Sequence, residues 1–594
     1  MFLKQHHNKK TGRTHLTIVQ GFRENGKVKH KTVEVLGYLD ELGKEYDDPV
    51  AHFKEEIKRR NEESSGESTI QINLSAKLPA DTCERKNLGY APLKAIYSNL
   101  GIHDFLQYKQ RFINAEFNLN SIFSMLVFNR MLFPSSKLQA YENRDAFFEP
   151  FKFSLDDVYR SLDYFRSYSD EIQKLLAEKT KELLGRDDQL GYYDVTNYYF
   201  EIPYEDEDEI DDEGNVIKVG QKKRGPSKEK RHDPIVQMGL LMDSNGIPLA
   251  FNLFPGNESE KFNMLPTVRR VKNELNMERI IVVADRGLNT SDNTAYLSGI
   301  NNDDYEGNDG YVYGQSVAGA GAEFKKWVLD QNGYTIDDET DSDGEIAKFK
   351  HKSRIFAKEV TLKNSKGKRN LSTQIYQKQM VYYSDKYARK QKYEREKLVA
   401  KAKDLIDSPT KYTKATSYGA AAYVNNLKFN KDTGEIADGS SLSLDRDKID
   451  REALFDGYYS IVTSELKLSD AEIRSIYKGL WEIEESFKII KSEFKARPVF
   501  VRKDEHVNAH FLICFVSLVI MRVLEKMLED KYTVKQLRDA MIRYSCSYVD
   551  QGYYLFDFRN EVTDSIGKKF GWDLTAKYMS KSQMKKILKY AKKV

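Results

Sequence analysis

The stretch SIYKGLWEIEESFKIIKSEF, residues 475–494, is the part of the chain from which the rest can be interpreted. Its apolar residues recur at alternating spacings of four and three, which is the stripe of an amphipathic helix. We therefore expect this stripe to face a core. Its members are Ile476, Leu480, Ile483, Phe487, Ile490 and Phe494.

A second line of residues follows the flank of the same predicted helix. Tyr477, Glu484 and Lys491 are spaced by seven, so that at about 100° per residue they project to one side, where we expect a cleft. Glu485 falls opposite the apolar stripe, where a solvated glutamate belongs, and Glu484 is therefore the acid of interest. Taken alone, this helix favours an ordinary charged surface, but two upstream stretches change that interpretation.

Two further carboxylates lie in or next to predicted buried strands. The run LGYYDVTNYYFEI from Leu190 is rich in Tyr, Val, Thr and Phe and predicts a strand that contains Asp194. The run RIIVVADRGLNT from Arg279 predicts a short strand that ends at Asp285, before the breaker Gly287. Since burying an unpaired charge is costly, such acids have a basic partner, a hydrogen-bond network or a metal ion. Three acids suggest a metal.

This constellation resembles the DDE transposases of bacterial insertion sequences, in particular the superfamily of insertion sequence family four. The last acid of that superfamily lies in a Tyr-x2-Arg-x3-Glu-x6-Lys signature. Tyr477, Glu484 and Lys491 occupy its Tyr, Glu and Lys places, whereas Leu480 stands where the family has Arg. The resemblance covers residues 190–522, because several separate stretches agree in order. Among them are YYDVTNYYFE, VVADRGLN, VYYSDKYARKQKYERE, DGYYSIVTSE and RPVFVRKDEHVNAHFLICF.

The resemblance implies an α/β fold, with an RNase H-like catalytic core that a large, mostly β insertion interrupts. In that fold the first and fourth strands are adjacent, which would bring Asp194 and Asp285 together, and a helix would add Glu484. The implied cofactor is a pair of Mg²⁺ ions about 4 Å apart, for which Mn²⁺ can substitute. Hard cations take oxygen ligands, and Asp194 would bridge both ions while Asp285 and Glu484 each complete one shell.

The implied activity is cut-and-paste transposition. Hydrolysis at the ends of the insertion sequence frees 3′-hydroxyls, which attack target DNA without a covalent enzyme intermediate. The implied partners are double-stranded DNA, as terminal inverted repeats and as target, bound by a homodimer. Two alternatives stay open, namely an RNase H-like metal-dependent nuclease without strand transfer and a catalytically inactive, retained DNA-binding protein. With Leu480 in the place of Arg, release through a DNA hairpin also stays open.

Four residues are candidates for DNA contact. Lys491 is expected to bind a phosphate, and Tyr477 to hydrogen-bond the DNA backbone or orient a ligand. Lys228 matches the Gly-x-Ser-Lys segment of relatives, and Arg497 follows the helix. Before Lys228 an acidic run, YEDEDEIDDE, predicts a disordered surface loop. The basic run that follows it can meet phosphates, through Lys222, Lys223, Arg224, Lys228 and Arg231.

The chain divides into several predicted regions around this core. These are a β-hairpin element at 1–45, a charged linker with a helix at 46–85, a helical, DNA-end-binding domain at 86–187, core parts at 188–300 and 453–530, the insertion at 301–452 and a basic C-terminal region at 531–594. In transposases of this kind the N-terminal helical domain recognises the terminal repeats, and the alternative is that it simply braces the catalytic domain.

Composition limits the partners and the compartment. A net charge of +3 is mildly basic, so any affinity for nucleic acid must come from local clusters. Cys83, Cys514 and Cys546 are far apart, which argues against a disulfide framework or zinc ribbon and fits the bacterial cytoplasm, with nucleoid association on DNA. The segment FLICFVSLVI after His510 is too short to span a bilayer and predicts a buried helix, so no membrane is expected.

Overall fold

The computed structural model describes the chain except residues 10, 25–26, 64–71, 73–74, 76, 79, 81–83, 187–188, 228–230, 276, 300–308, 341–345, 364–369, 414–415, 430–434, 437–440 and 592–594. The described chain forms two compact units. The first is Met1–Thr82 with Tyr548–Tyr553, and the second is Cys83–Ser547 with Tyr554–Val594.

The first unit contains a three-stranded antiparallel sheet. Its strands β1 (Phe2–His7), β2 (Thr14–Glu24) and β3 (Lys27–Tyr38) lie in the order β1-β2-β3, followed by helices α1 (Leu39–Leu42) and α2 (Pro49–Glu63). The predicted hairpin is present as the antiparallel pair of β2 and β3, and β1 adds a third strand that was not predicted. The segment FLKQHH of β1 has no β-branched residue to indicate a strand, and it is ordered by pairing along β2.

The second unit begins with the region that was predicted to be helical, and this prediction is confirmed. Its elements are β4 (Arg85–Asn87), α3 (Ala91–Asn99), α4 (Ile102–Gln110), α5 (Leu119–Leu132), α6 (Lys137–Glu142), α7 (Leu155–Ser167) and α8 (Ser169–Leu184). Asn118, Ser136 and Ser154 cap α5, α6 and α7 by accepting backbone N–H groups of the first turn. These caps fix where the three helices begin.

The strands that carry the candidate acids come next. The elements are β5 (Leu190–Tyr199), β6 (Glu209–Ile210), β7 (Val216–Lys218), β8 (Ile235–Met242), β9 (Pro248–Pro255), α9 (Met264–Glu274), β10 (Ile281–Ala284), α10 (Ser291–Leu297) and β11 (Gly310–Gln315). The following segment contains α11 (Ala322–Leu329), β12 (Thr335–Thr340), β13 (Ile346–Lys363), β14 (Asn370–Ser384), α12 (Asp385–Asp407), β15 (Val424–Asn425), β16 (Ser443–Leu444), α13 (Arg446–Ala453) and β17 (Tyr458–Thr463).

Helices dominate the remainder of the chain. The elements are α14 (Asp470–Lys478), α15 (Trp481–Lys488), α16 (Asp504–Met527), α17 (Val534–Arg543), β18 (Ser545–Tyr548), β19 (Tyr553–Phe556), α18 (Glu561–Phe570), β20 (Tyr578–Ser580) and α19 (Lys581–Tyr590).

A nine-stranded sheet organises the second unit, in the order β12-β13-β14-β17-β11-β10-β5-β8-β9. β10 is parallel to both β5 and β11, and the other neighbours are antiparallel. The expected adjacency of the first and fourth core strands, β5 and β10, is thus present. β11, which falls in the segment predicted as the insertion, lies between β10 and β17. The connection through α10 brings β11 beside β10 in parallel orientation. β11 therefore occupies the edge of β10 that β17 would otherwise pair with.

The segment predicted as a separate insertion, 301–452, is partly continuous with the core sheet. β11 belongs to the sheet itself, and β14 pairs with β17 from Lys378↔Thr463 to Tyr383↔Tyr458. β12 and β13 then extend the same sheet. The predicted boundary is therefore wrong, because backbone pairing along β17 favours extending the sheet over starting a new one. The rest of the segment is largely helical, in α11, α12 and α13.

The sheet separates two hydrophobic cores. Tyr192 and Tyr198 of β5 enter the larger core, with residues of α15 and α16, whereas Tyr193 and Val195 enter a smaller core with α9. α16 is long and apolar enough to cross a membrane by length and composition, at 24 residues, but 94% of its most apolar window is buried. It packs against α3, α5, α7 and α8 as the central helix of the larger core.

Candidate active site

Asp194 and Asp285 lie at matching positions of two adjacent parallel strands. β5 and β10 pair with Tyr192 opposite Val283. Continuing this register by two residues places Asp285, which directly follows β10, beside Asp194. Because neighbouring strands are about 4.8 Å apart, the backbone brings the two predicted acids together at one edge of the site.

Helices cover the face of the sheet that carries Asp194. Side chains alternate along β5, so that Tyr192, Thr196 and Tyr198 share the face of Asp194. Tyr192 and Tyr198 pack in the larger core with Ile483 of α15. Asp194 is half-buried on this face, between the sheet and the helical layer.

Asp285 is an exposed residue in a tight turn. Its carboxylate Oδ1 accepts the N–H of Gly287 at 2.7 Å and caps the single 3-10 turn of Arg286–Leu288. This bond holds the carboxylate in one orientation relative to the end of β10. Gly287, predicted as a strand breaker, therefore also supplies a donor to the candidate acid.

The predicted helix over residues 475–494 is interrupted twice, and the expectation of one continuous helix is wrong. α14 ends at Lys478, and α15 begins at Trp481. A π-helical turn, Ile489–Glu493, then follows α15. The regular spacing of seven from Tyr477 to Lys491 therefore does not describe one straight line on one helix.

The first interruption has a cause on β5. The hydroxyl of Tyr192 donates to the carbonyl oxygen of Ile476 at 2.9 Å, the oxygen that the N–H of Leu480 would reach in an unbroken helix. That N–H bonds instead to the carbonyl of Tyr477 at 3.2 Å. A Cβ on Gly479 would lie 2.4 Å from the Tyr192 hydroxyl oxygen, so the close approach requires glycine.

The apolar stripe of this segment is confirmed, because its members lie in the larger core. Leu480, Ile483, Phe487, Ile490 and Phe494 are buried, and Ile476 is partly buried. The relative exposure predicted for the two glutamates is wrong, since Glu484 is exposed and Glu485 is half-buried. The break between α14 and α15 resets the angular positions that a continuous helix would have.

Two contacts fix where the helical segment crosses β5. Before Glu484, the Tyr192 hydroxyl is bonded to α14. After Glu484, Lys491 Nζ donates to Thr196 Oγ1 at 2.6 Å. Tyr192 and Thr196 stand on either side of Asp194 on one face of the strand. The segment between the two contacts, which carries Glu484, therefore passes over the level of Asp194, and α15 packs on β5 there.

Tyr477 lies against the turn that carries Asp285. The Tyr459 hydroxyl donates to the Tyr477 hydroxyl at 2.6 Å. A Cβ on Gly314 would lie 2.6 Å from the Tyr477 hydroxyl and 3.1 Å from the backbone nitrogen of Arg286. Burial raises the pKa of Tyr477, and Tyr459 and Asp285 raise it further. Tyr477 is thus a neutral hydroxyl held beside the candidate acid.

Lys491 lies on the same face of β5 as Asp194. Besides its bond to Thr196, its Nζ is 5.4 Å from the centre of the Tyr198 ring, and the residue is half-buried. The ammonium group is thus placed two residues along the strand from the candidate acid. This position suits a cation that neutralises negative charge at the site.

The remaining predicted residues lie in different settings. Lys228 falls outside the described residues. Arg497 is half-buried, before Pro498. Leu480, in the place of the signature Arg, is 9% exposed and packs in the larger core, so this position points away from the solvent side of the helix.

The acidic and basic runs before β8 pair with each other, which the sequence did not suggest. Lys222 is 5% exposed and forms ion pairs with Asp206 at 2.8 Å and Asp504 at 3.2 Å, and Lys223 pairs with Asp208 at 2.7 Å. The acidic run also includes β6, paired with β7. The expectation of a disordered loop is therefore wrong, and Lys222 and Lys223 are engaged within the chain because opposite charges meet at short range.

The three candidate acids suit a hard divalent cation in the chemistry of their donors, since all are carboxylates. Among the described residues, however, no group of three His, Cys, Asp or Glu side chains forms a compact metal-binding cluster. The backbone thus brings Asp194 and Asp285 together with the segment of Glu484, while the Asp285 and Glu484 side chains face solvent. A ligand set made of all three acids would require these exposed side chains to rotate.

Several residues of the site were not predicted. Tyr192 and Thr196 carry the contacts that place α14 and Lys491, and their spacing of two on either side of Asp194 was the available indication. Tyr459 contacts Tyr477 from β17. Arg522 contacts α15 from α16, and its sequence indication was a charge inside an apolar helix.

The N-terminal region of the chain is similar to a known family domain. Residues 3–71 match the N-terminal domain of the IS1634 family transposases. This match supports an insertion-sequence transposase. It also supports a role in DNA transposition in general, while the matched segment contains none of the candidate site residues.

The likeness to solved structures is weak. The structure titled "Mos1 transposase paired-end complex with left transposon end" is 12% identical, covers 44% of this chain and 69% of that chain, and has a TM-score of 0.13. The structure titled "Crystal structure of the Mos1 mariner paired end complex with Mn" is 11% identical, with coverages of 43% and 69% and a TM-score of 0.12. These TM-scores are too low to inform the fold. No curated protein matches this chain in sequence.

Proposed function

We propose that this chain is a DNA transposase that cuts at the ends of an insertion sequence and transfers the freed 3′-hydroxyl ends into target DNA. The observation that carries the proposal is the register of β5 and β10, which aligns Asp194 with Asp285 below the segment of Glu484. A nuclease without strand transfer would need the same acids, so the choice between them rests on the N-terminal family match.

The proposed catalytic core is RNase H-like. The strand order β9-β8-β5-β10-β11, with β5 parallel to β10 and antiparallel to β8, supports this assignment. Membership of the superfamily of insertion sequence family four is part of the proposal, with Tyr477, Glu484 and Lys491 as its signature residues. The second signature place, which is Arg in that superfamily, is occupied by Leu480, which is buried in the core, and a DNA hairpin intermediate is left open.

Asp194, Asp285 and Glu484 are the proposed ligands of two Mg²⁺ ions, for which Mn²⁺ can substitute. Bound there, the ions would supply activation of the attacking oxygen and neutralisation of charge on the phosphate. Lys491 adds a positive charge beside Asp194 that can hold a DNA phosphate. Tyr477 stays neutral beside Asp285 and can donate its hydroxyl proton to a phosphate oxygen or a water.

The proposed partners are the terminal inverted repeats and the target DNA, held by a homodimer. Arg497 and Lys228 are the further proposed DNA contacts, and helices α3 to α8 the proposed end-binding region. The proposed location is the bacterial cytoplasm, with nucleoid association on DNA. No membrane partner is proposed, since α16 is an interior helix.

The test is a Mg²⁺-dependent cleavage and joining assay on the DNA that flanks the gene, with the intact chain, Glu484→Gln and Glu485→Gln. The last variant is a matched control, because it changes the neighbouring glutamate on the same helix. We expect the intact chain and Glu485→Gln to nick at defined ends and to join the 3′-hydroxyl to target DNA. Glu484→Gln should bind the ends and do neither.

The outcomes separate the alternatives. Cleavage without joining by the intact chain would favour the nuclease. Binding of the ends without cleavage in Mg²⁺ or Mn²⁺ would favour a retained DNA-binding protein. Full activity of Glu484→Gln would remove Glu484 from the site and leave the proposal without its third acid.

A further inference from the structure

Arg522 is a buried charged residue in α16, the long apolar helix of the larger core. Its side chain is 8% exposed, and Nη1 donates to Glu525 Oε2 at 2.9 Å. Nη2 donates to Ser486 Oγ at 2.9 Å and to the carbonyl oxygen of Glu482 at 3.4 Å. The Glu482 carboxylate is also 3.9 Å away. One guanidinium group therefore joins α16 to α15.

The two α15 residues that Arg522 contacts flank the candidate catalytic glutamate. Glu482 lies two residues before Glu484 and Ser486 lies two residues after it. α15 has 8 residues, with the break at Gly479 before it and a π-helical turn after it. Because a helix this short is not stable by itself, its orientation depends on contacts from outside.

The type of residue is informative as well as its position. Burying a guanidinium costs several kcal/mol of solvation, and a well-packed hydrophobic residue would stabilise the fold equally well or better. A planar group with five N–H donors, however, fixes direction as well as distance. Arg522 uses these donors on one backbone carbonyl, one hydroxyl and one carboxylate. Such a set specifies the rotation of α15 about its own axis, which apolar contacts specify less well.

We propose that Arg522 is a positioning residue that fixes the rotation of α15 about its axis, and with it the side from which Glu484 can reach Asp194 and Asp285. It acts on Glu484 through Glu482 and Ser486, in the way that outer-shell residues orient metal ligands. This inference rests on the proposed function. The signature place for an arginine on this helix is occupied by the buried Leu480, and in this chain an arginine reaches the helix from α16.

The test uses a variant that removes both buried charges, Arg522→Met with Glu525→Leu, so that the Glu525 carboxylate is not left without its partner. Arg522→Lys is the conservative variant, since it keeps the charge and loses the planar fork. The matched control is Lys272→Met with Asp309→Leu, which removes an ion pair outside the proposed site and the proposed end-binding region, with side-chain exposures of 12% and 0%. Thermal unfolding of each variant measures the purely structural effect.

Two measurements report on the position of Glu484. The first is the Mg²⁺ concentration that gives half-maximal cleavage of the end DNA. The second is Mn²⁺ binding to the protein without DNA, followed by the electron paramagnetic resonance signal of free Mn²⁺. For Arg522→Met with Glu525→Leu we expect both affinities to weaken about ten- to a hundredfold, with DNA-end binding unchanged. Arg522→Lys should fall between this variant and the intact chain, and the Lys272 control should change neither affinity.

The inference is overturned if the Arg522 variants lower the thermal midpoint but leave the Mg²⁺ and Mn²⁺ affinities as in the intact chain. If the double variant does not fold, Arg522→Lys decides by the same two measurements. Glu484→Gln separates this failure from failure of the proposed function. Unchanged cleavage and Mn²⁺ binding in Glu484→Gln would mean that the carboxylate site itself is misplaced, whatever Arg522 does.

Discussion

The candidate acids are held in two different ways. Asp194 and Asp285 are placed by the backbone, since they extend the register of two paired strands. Glu484 is placed by side chains, on a short helix that Tyr192, Lys491 and Arg522 tie to its neighbours. A strand pair specifies position through backbone hydrogen bonds that every residue type except proline can make, whereas the helix depends on a few particular residues. We call the residues around Asp194 and Asp285 the strand side of the site, and the residues around Glu484 the helix side. Mutation of a neighbouring residue should therefore be tolerated better on the strand side than on the helix side.

The largest effect is expected from the strand acids themselves. Asp194→Asn and Asp285→Asn each remove a proposed metal ligand, which supplies several kcal/mol of transition-state stabilisation, or about a thousandfold in rate. We expect end cleavage to disappear and end binding to remain. Asp233→Asn, at an ion-paired acid before β8, is the control and should cleave normally.

The register itself can be tested by crosslinking. Asp194→Cys with Asp285→Cys, in a background with Cys83→Ser, should form a disulfide on mild oxidation, because adjacent strand positions lie within the Cα separation that a disulfide spans. The remaining cysteines, Cys514 and Cys546, are buried. Absence of the crosslink in the folded double variant would contradict the alignment of the two acids.

A smaller loss is expected from Lys491. Lys491→Ala removes a charge-assisted contact, which is worth about 1.5–3 kcal/mol, or ten- to a hundredfold in rate. The measurement is single-turnover cleavage at saturating DNA, and the exposed Lys488→Ala, on the same helical segment, is the control. If Thr196→Val causes the same loss as Lys491→Ala, then Lys491 serves to tie the helix to β5, and its proposed phosphate contact is wrong.

Sequence patterns predicted the strand side of the site more fully than the helix side. The β-rich runs around Asp194 and Asp285 and the apolar stripe through Ile483 depend on local residue types, and local patterns can be seen in the chain. The break at Gly479 depends on the hydroxyl of Tyr192, which is distant in sequence. A long-range hydrogen bond of this kind leaves no periodicity to detect.

The same reasoning explains the other differences between prediction and structure. β11 was assigned to the insertion because its partner β10 precedes it across a helix and a long segment, and only the sheet shows that the two pair. The acidic run was predicted to be disordered because its composition is polar. Its partner Lys222, 16 residues after Asp206, neutralises that charge. In each case a contact distant in sequence outweighed the local pattern.

The dependence of the helix on single residues can be tested at Tyr192. Tyr192→Phe removes the hydroxyl that donates to the Ile476 carbonyl oxygen, and the loss of this one hydrogen bond costs about 1 kcal/mol. We expect cleavage to fall about fivefold, as α14 and α15 lose their fixed break. Tyr193→Phe changes the opposite face of the same strand and is the control. Equal effects of the two variants would mean that the break does not depend on this hydroxyl.

The smallest effect on cleavage is expected from mutation of Lys137, a buried lysine close to the C-terminal end of the helical segment. Lys137 Nζ lies 3.5 Å from His510 Nδ1, and His510 Nε2 lies 3.2 Å from the carbonyl oxygen of Ala496. Burial, with a further contribution from the cation of Arg130, lowers the pKa of Lys137 to about 7, whereas nearby Cys514 opposes the shift. This cluster supports the backbone just after the π-helical turn and touches neither strand acid.

The sign of the pH dependence follows from the lowered pKa of Lys137. In the unfolded chain this lysine titrates near its ordinary pKa of 10.5, so between about pH 7 and 10 the unfolded state binds more protons than the folded state. Stability should therefore rise with pH across this range, by up to about 1.4 kcal/mol per pH unit.

Thermal unfolding from pH 7 to 9 should show this rise in the intact chain and a flatter profile in Lys137→Met. Because His510 has a pKa lowered well below its ordinary value, its titration falls below this window and remains in both proteins. A parallel rise in both proteins would mean that Lys137 is not the group responsible, and that the end of the helical segment does not depend on its charge state.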